Sequence, residues 1–148
     1  AHPECVAELN VQYRMNEEIQ TLPNKLIYSG KLQCGTEGIR TRKLNSYTAS
    51  AIDAALPAYV RTALDPSRGV VFIDTGDLHC EDVISRQENA GEAELCRKLV
   101  EQLTSDALKV AVHDIGVLSP YRRQLALIKD TLGESRPEVL TVDEAQGK

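Results

Sequence analysis

The sequence predicts an α/β fold, a mostly parallel sheet with helices on both faces. Three observations carry this. Apolar runs of buried-strand length stand at Val70-Val71-Phe72-Ile73, Ile115-Gly116-Val117-Leu118 and Val139-Leu140-Thr141-Val142. Amphipathic helical patterns alternate with such runs along the chain. Polar clusters occupy three strand ends: Gln12-Tyr13-Arg14, Ser119-Pro120-Tyr121-Arg122-Arg123 and Asp143-Glu144-Ala145-Gln146-Gly147. Open parallel sheets bind ligands at the carboxyl ends of their strands, so the three clusters are expected on one rim.

The first strand is expected over residues 6–11, leading into Gln12-Tyr13-Arg14-Met15-Asn16. Asn16 has the chemistry of an N-cap, with Glu17 and Glu18 where the helix dipole favours acids. Ile19, Leu22, Leu26 and Ile27 share one face of the following helix, and the apolar faces are read as core. Pro23 is expected to break that helix and open a second short one, which Ser29-Gly30 ends. Residues 34–68 carry scattered Gly, Pro, Asn and Ser and read as a less regular insertion, with a helical turn or two at 49–56. The run at 70–73 ends in the turn Asp74-Thr75-Gly76-Asp77. Asn89 and Glu92 have capping-box spacing, and the helix beyond puts Leu95, Cys96, Leu99, Val100 and Leu103 on one face. After the strand at 115–118, Ser119-Pro120 halts extension. A helix over 121–132 then faces Leu125, Ile128 and Leu132 inward and stops at Gly133.

Composition limits the function classes. A chain of 148 residues suffices for one ordinary domain with a core, and with no Trp and one Phe that core rests on aliphatic residues. A formal charge of −5 argues against a uniformly basic nucleic-acid coat but leaves room for a local basic groove. No long apolar run suggests a membrane span. Cys5, Cys34, Cys80 and Cys96 form no C-x-x-C pair, and His2, His79 and His113 are scattered, so no metal site is expected. The thiols read as reduced and structural, as in an intracellular protein.

The opening motif suits nucleotide recognition. A guanidinium offers a fixed fork of donors to phosphate oxygens, and Tyr13 a flat face to a base or ribose. Taken alone, the five residues favour a plainer reading in which Tyr13 packs and Arg14 pairs on the surface. Arg122 and Arg123 likewise suit a solvated helix start, and Arg40, Arg42 and Lys43 a solvated loop. No G-x-x-x-x-G-K-[ST] phosphate loop is present, and Asp143-Glu144 follows a strand without the loop partner that magnesium binding needs. The chain is therefore expected to lack autonomous ATP hydrolysis and to be a piece of something longer.

In order along the chain, Gln12-Tyr13-Arg14-Met15-Asn16, Asn24-Lys25-Leu26-Ile27-Tyr28-Ser29-Gly30-Lys31-Leu32, Ser119-Pro120-Tyr121-Arg122-Arg123-Gln124 and Thr141-Val142-Asp143-Glu144-Ala145-Gln146-Gly147 resemble superfamily 1 helicases. The match is to their second RecA-like domain, a P-loop NTPase fold. Residues 1–148 would form a partial domain of this kind, incomplete at the C-terminus, with the insertion at about 34–68. Within the superfamily the chain is similar to the eukaryotic DNA replication ATP-dependent helicase/nucleases. Asn16 fits this branch, whereas the sister RNA helicases of nonsense-mediated decay carry His-Pro after the Met.

The resemblance implies roles. Arg14 is similar to an arginine finger that reaches the γ-phosphate of ATP on the first RecA-like domain. Tyr13 would stack near the adenine, with Gln12 beside it. Ser119, Pro120, Tyr121 and Arg122 resemble the segment facing single-stranded nucleic acid, and Thr141 would touch the strand backbone. Gln146 and Gly147 match positions that couple nucleotide state to strand grip, although Ala145 departs from the aromatic found there in the family. ATP and Mg2+ are implied, held mainly by the first RecA-like domain. An iron–sulfur cluster would belong to a nuclease domain outside this chain. The implied partners are single-stranded DNA, the first RecA-like domain and replication proteins that bind single strands, with no membrane. The implied setting is replication and repair in the nucleus, with the mitochondrion as a second compartment. Two alternatives stand beside this reading: an RNA helicase of the decay branch, and a non-catalytic fragment that binds nucleic acid or a partner.

Overall fold

Two short parallel ladders carry the strand pairing in the computed structural model, which describes residues 7–76, 88–134 and 136–146. The chain divides into two compact units, one of Ala1–Asn45 with Pro66–Val71, the other of Ser46–Asp65 with Phe72–Lys148. The protein is a mixed α/β structure with small parallel sheets.

In the first unit, β1 (Val11–Gln12) pairs in parallel with β2 (Gln33–Cys34), placing Val11 opposite Gln33 and Gln12 opposite Cys34. Helix α1 (Glu17–Leu26) connects them, since parallel neighbours need a crossover. Asn16 caps α1 as expected: its side chain accepts from Ile19 N–H at 2.9 Å, and Glu17 and Glu18 fill the first turn. A short helix, α2 (Glu37–Arg40), follows β2.

Two expectations fail in α1. Pro23 lies inside one continuous helix instead of opening a second. A proline removes one ladder bond, but the cap at Asn16 and the bond from Ile27 N–H to Pro23 C=O at 2.9 Å hold the helix on either side of it. The apolar face is not core either. Leu22, Leu26 and Ile27 are 66%, 73% and 74% exposed, and the buried residue of α1 is Gln20. The chain leaves α1 through Ser29 and Gly30, both at positive φ, the expected stop.

In the second unit, α3 (Ala58–Leu64), α4 (Ala90–Thr104), β3 (Gly116–Leu118), α5 (Arg122–Leu132) and β4 (Glu138–Leu140) follow in order. Strands β3 and β4 are parallel, with Gly116, Val117 and Leu118 opposite Glu138, Val139 and Leu140. Val117 and Val139 point into a cluster with Ala93, Leu125 and Ile128. Successive strand residues alternate faces, so Gly116, Leu118 and Glu138 point to the other side, which is exposed. Among the described residues, then, helices cover one face of this ladder, not both, and β3 is not the fully buried strand expected at 115–118.

The expected helices α4 and α5 are present. Asn89 caps α4, accepting from Glu92 N–H at 3.1 Å, and α4 buries Leu95 and Val100. Helix α5 buries Leu125 and Ile128 and stops at Gly133, φ 73°. The less regular stretch contributes to the core: Val60 and Leu64 of α3 pack with Leu108 and against Leu99 and Leu103. A single 3-10 turn, Ala49–Ala51, stands where a helical turn or two was expected.

The run Val70-Val71-Phe72-Ile73 forms no strand. Hydrophobicity alone does not make a strand; a paired neighbour does, and no ladder includes these residues. Phe72 is 89% exposed. Val6, where the first strand was expected to begin, and Asp77 of the following turn lie outside the described residues, as do Cys5, Cys80, His2 and His79.

Candidate functional site

The residues singled out by sequence form two groups, one in each unit. In the first, β1 ends at Gln12 and the chain turns through Tyr13, Arg14 and Met15 before Asn16 opens α1. The Gln12 amide organises this turn from inside. Its Oε1 accepts from Arg14 N–H and Met15 N–H, both at 2.7 Å. Its Nε2 donates to Met15 C=O and to Gln20 Oε1, both at 2.7 Å. Gln20 in turn donates to Leu32 C=O at 2.8 Å, and the Cys34 thiol donates to Gln20 Oε1 at 3.1 Å. The turn is thus tied to both α1 and β2, and Tyr13 and Arg14 are exposed residues within it.

Two more residues shape this turn. A Cβ at Gly35 would collide with the Tyr13 ring, so the ring lies directly over the backbone that follows β2. Asn16 works in two directions, capping α1 through Oδ1 and donating from Nδ2 to Arg42 C=O at 2.8 Å. Nearby cations are matched by acids. Arg40 pairs with Glu37 at 2.6 Å and Glu17 at 3.0 Å, and Lys43 pairs with Glu18. The Lys43 ammonium and the Gly69 N–H hold the Glu18 carboxyl below its ordinary value. These pairs fit a solvated surface, although Arg40 closes α2 and is not in the loop expected for it, where Lys43 is.

The second group sits at the carboxyl ends of β3 and β4. Leu118 and Leu140 are register partners, so Ser119 and Thr141 are brought side by side, and Ser119 N–H donates to Leu140 C=O at 3.2 Å. The Ser119 hydroxyl is buried and accepts from Tyr121 N–H at 3.2 Å, fixing the turn around Pro120. Pro120, Tyr121 and Arg122 are exposed. Of the next two residues Gln124 is buried and Arg123 is exposed. Gln124 Oε1 accepts from Asn89 N–H at 2.6 Å and its Nε2 donates to Asn89 C=O at 3.0 Å, while Arg123 pairs with Glu88 at 3.1 Å. Both adjacent arginines are exposed, Arg123 in an ion pair with Glu88 and Arg122 close enough to Glu144 to favour its ionised form.

Thr141 and Glu144 bond reciprocally. Thr141 N–H donates to Glu144 Oε2 at 2.8 Å, and Glu144 N–H donates to Thr141 Oγ1 at 3.2 Å. This is a capping box, and a helical turn follows, with Ala145 N–H bonded to Thr141 C=O. The Thr141 N–H and hydroxyl hold the Glu144 carboxyl below its ordinary value, with Arg122 and Lys129 adding to the effect. The carboxylate thus serves the turn. Gln146 is exposed, and Gly147 lies outside the described residues.

Sequence reasoning gave no role to Gln20, Gly35 or Gln124 and weighed Glu144 only against magnesium binding. For Glu144 a signal exists, the Thr-x-x-Glu spacing. Among the described residues no cluster of His, Cys, Asp or Glu could hold a metal ion, and no helix is long and apolar enough to cross a membrane.

Comparison with known proteins assigns the family. The model of a family described as AAA domain matches residues 1–148. The chain is 37% identical over 161 aligned residues to the DNA replication ATP-dependent helicase/nuclease DNA2 of Saccharomyces cerevisiae, covering 99% of the chain and 10% of that protein. It is 34% identical to the protein of the same name from Homo sapiens, over 97% of the chain and 14% of the relative. To the Arabidopsis thaliana helicase/nuclease JHS1 it is 33% identical, over 100% of the chain and 11% of the relative. The chain thus spans between a tenth and a seventh of the length of these relatives. With its whole length matched, the chain belongs to the AAA domain family, as a superfamily 1 helicase segment homologous to part of the eukaryotic DNA replication helicase/nucleases.

Proposed function

We propose that this chain is part of the second RecA-like motor domain of an ATP-dependent DNA helicase/nuclease. The protein would couple ATP hydrolysis to translocation on single-stranded DNA in replication and repair, processing flaps and resecting ends in the nucleus. The observation that carries the reading is the Tyr13-Arg14 turn. Its backbone is held by an internal amide, and Tyr13 and Arg14, adjacent in sequence, are both exposed. That pair suits the two halves of a nucleotide, an aromatic face for the base and a fork of donors for phosphate.

In this reading ATP and Mg2+ are held mainly by the first RecA-like domain. The nucleotide supplies a phosphoryl group whose transfer passes through a loose transition state with charge spread over its three equatorial oxygens. Arg14 meets that charge, and Tyr13 lies against the base. Arg122 and Tyr121, exposed beside the buried Ser119, offer a cation and a ring to the single strand. Thr141 positions the turn that carries Gln146. The small parallel ladders, each spanned by a helix, support the RecA-like assignment.

The test is Arg14→Ala in the intact protein that carries this chain, with DNA-stimulated ATPase as the readout. Loss of an arginine finger lowers turnover by about 10³-fold or more. Turnover at the wild-type rate would refute the assignment.

A further inference from the structure

Gln12, expected beside the adenine, has its amide fully engaged within the fold. An amide side chain has one acceptor oxygen and two N–H donors. In Gln12 the oxygen takes two backbone N–H groups, Arg14 and Met15, and the nitrogen gives to Met15 C=O and Gln20 Oε1, all four at 2.7 Å. The Cys34 sulfur closes the remaining side at 3.3 Å. Both hydrogens and both lone-pair directions are therefore committed within the fold.

We infer that Gln12 is a positioning residue for Arg14, not a ligand of the nucleotide. Its amide fixes the Arg14 backbone N–H against Met15, and through Gln20 it references that turn to α1 and β2. The inference rests on the finger assignment of Arg14. A finger accelerates transfer only if it sits where charge develops, so the residue that sets its backbone acts on the chemical step and not on binding. Gln20 is the second link, being itself buried and bonded to Leu32 C=O.

The test compares Gln12→Ala, Gln12→Glu, Arg14→Ala and the double Gln12→Ala, Arg14→Ala variant in the intact protein, reading kcat and KM for ATP in DNA-stimulated hydrolysis. Gln12→Ala lowers kcat by about 10²-fold with KM for ATP unchanged, as expected for a displaced catalytic group. Gln12→Glu keeps the acceptor for the Arg14 and Met15 N–H groups and loses the donors, so it retains more turnover than Gln12→Ala. In the Arg14→Ala background, Gln12→Ala has no further effect, because it acts through Arg14. A raised KM with kcat preserved would instead make Gln12 a nucleotide contact. An additive loss in the double variant would make its role general stability; either result overturns the inference. Wild-type turnover by Arg14→Ala alone strikes the finger assignment itself, and is told apart by that single variant.

Discussion

A side chain at position 35 has nowhere to go except into the Tyr13 ring, and this close approach supports that ring from below. Such dependencies separate what is legible in a sequence from what is not. The caps at Asn16 and Asn89 and the stop at Gly133 are legible because capping is local chemistry, decided within a turn. Gly35 is not, because its partner Tyr13 lies far along the chain, and Gln12 is so only in part, since Arg14 and Met15 are local but Gln20 and Cys34 are not. Thr141 is an intermediate case. Its Thr-x-x-Glu signal is local, but the apolar run Val139-Leu140-Thr141-Val142 carries a strand reading past the cap, and the ladder stops at Leu140. The box has a pH signature. Because the folded-state pKa of Glu144 is depressed, its bond to Thr141 N–H is complete above the unfolded value of about 4.3. The bond is then lost as pH falls through the lower folded-state pKa. The Thr141 amide proton resonance should titrate with a midpoint below that of an ordinary glutamate. In Glu144→Gln, which keeps an acceptor but cannot ionise, the same resonance should not follow an acid titration.

At the scale of elements, α4 and α5 are legible and α1 only in part, while β3 and β4 stand near their expected places and residues 70–73 form no strand. A helix satisfies its own backbone, so periodicity, cap and stop suffice to place the start of α4 and both ends of α5 within a residue or two. A strand exists only with its partner. Residues 70–73 have strand composition and no ladder, while Gln33 and Cys34, in a stretch read as irregular, pair with β1. What joins α4 to α5 was invisible for the same reason. Gln124 bonds to both backbone groups of Asn89, at a separation of 35 residues, and thereby completes the α4 start that Glu92 would close in a reciprocal capping box. Glu92 instead accepts from Thr75 at 3.0 Å. Since Gln124 is buried, Gln124→Ala removes two bonds from a dry site and should cost about 1–3 kcal/mol of stability. Arg123→Ala, which loses an ion pair whose Arg side chain is 63% exposed, should cost under about 1 kcal/mol. Denaturant midpoints of the two variants, compared at equal m, decide whether burial or charge anchors this end of α4.

For the molecule as a whole, the instructive error is α1. Periodicity correctly groups Ile19, Leu22, Leu26 and Ile27 on one side, but it cannot say whether that side finds a partner. Here the helix turns its polar residues inward, because Gln20, Asn16 and Asn24 satisfy the β2 strand and the loops around it. Asn24 both accepts from Leu32 N–H at 2.8 Å and donates to its C=O at 3.0 Å. The first unit is thus held largely by buried amides, and its apolar face remains on the surface, where contiguous hydrophobic area promotes association. A charge-neutral substitution tests this cleanly. Leu22→Glu with Leu26→Lys keeps the net charge at −5 and places a favourable i, i+4 pair along α1. Because neither leucine is buried, stability should change by no more than about 0.5 kcal/mol, as for ordinary surface substitutions. Light scattering at rising protein concentration should fall relative to the parent chain, through loss of apolar patch and not through added charge. A loss of about 2–5 kcal/mol, the cost of deleting core leucines, would instead mean that the folded chain covers this face.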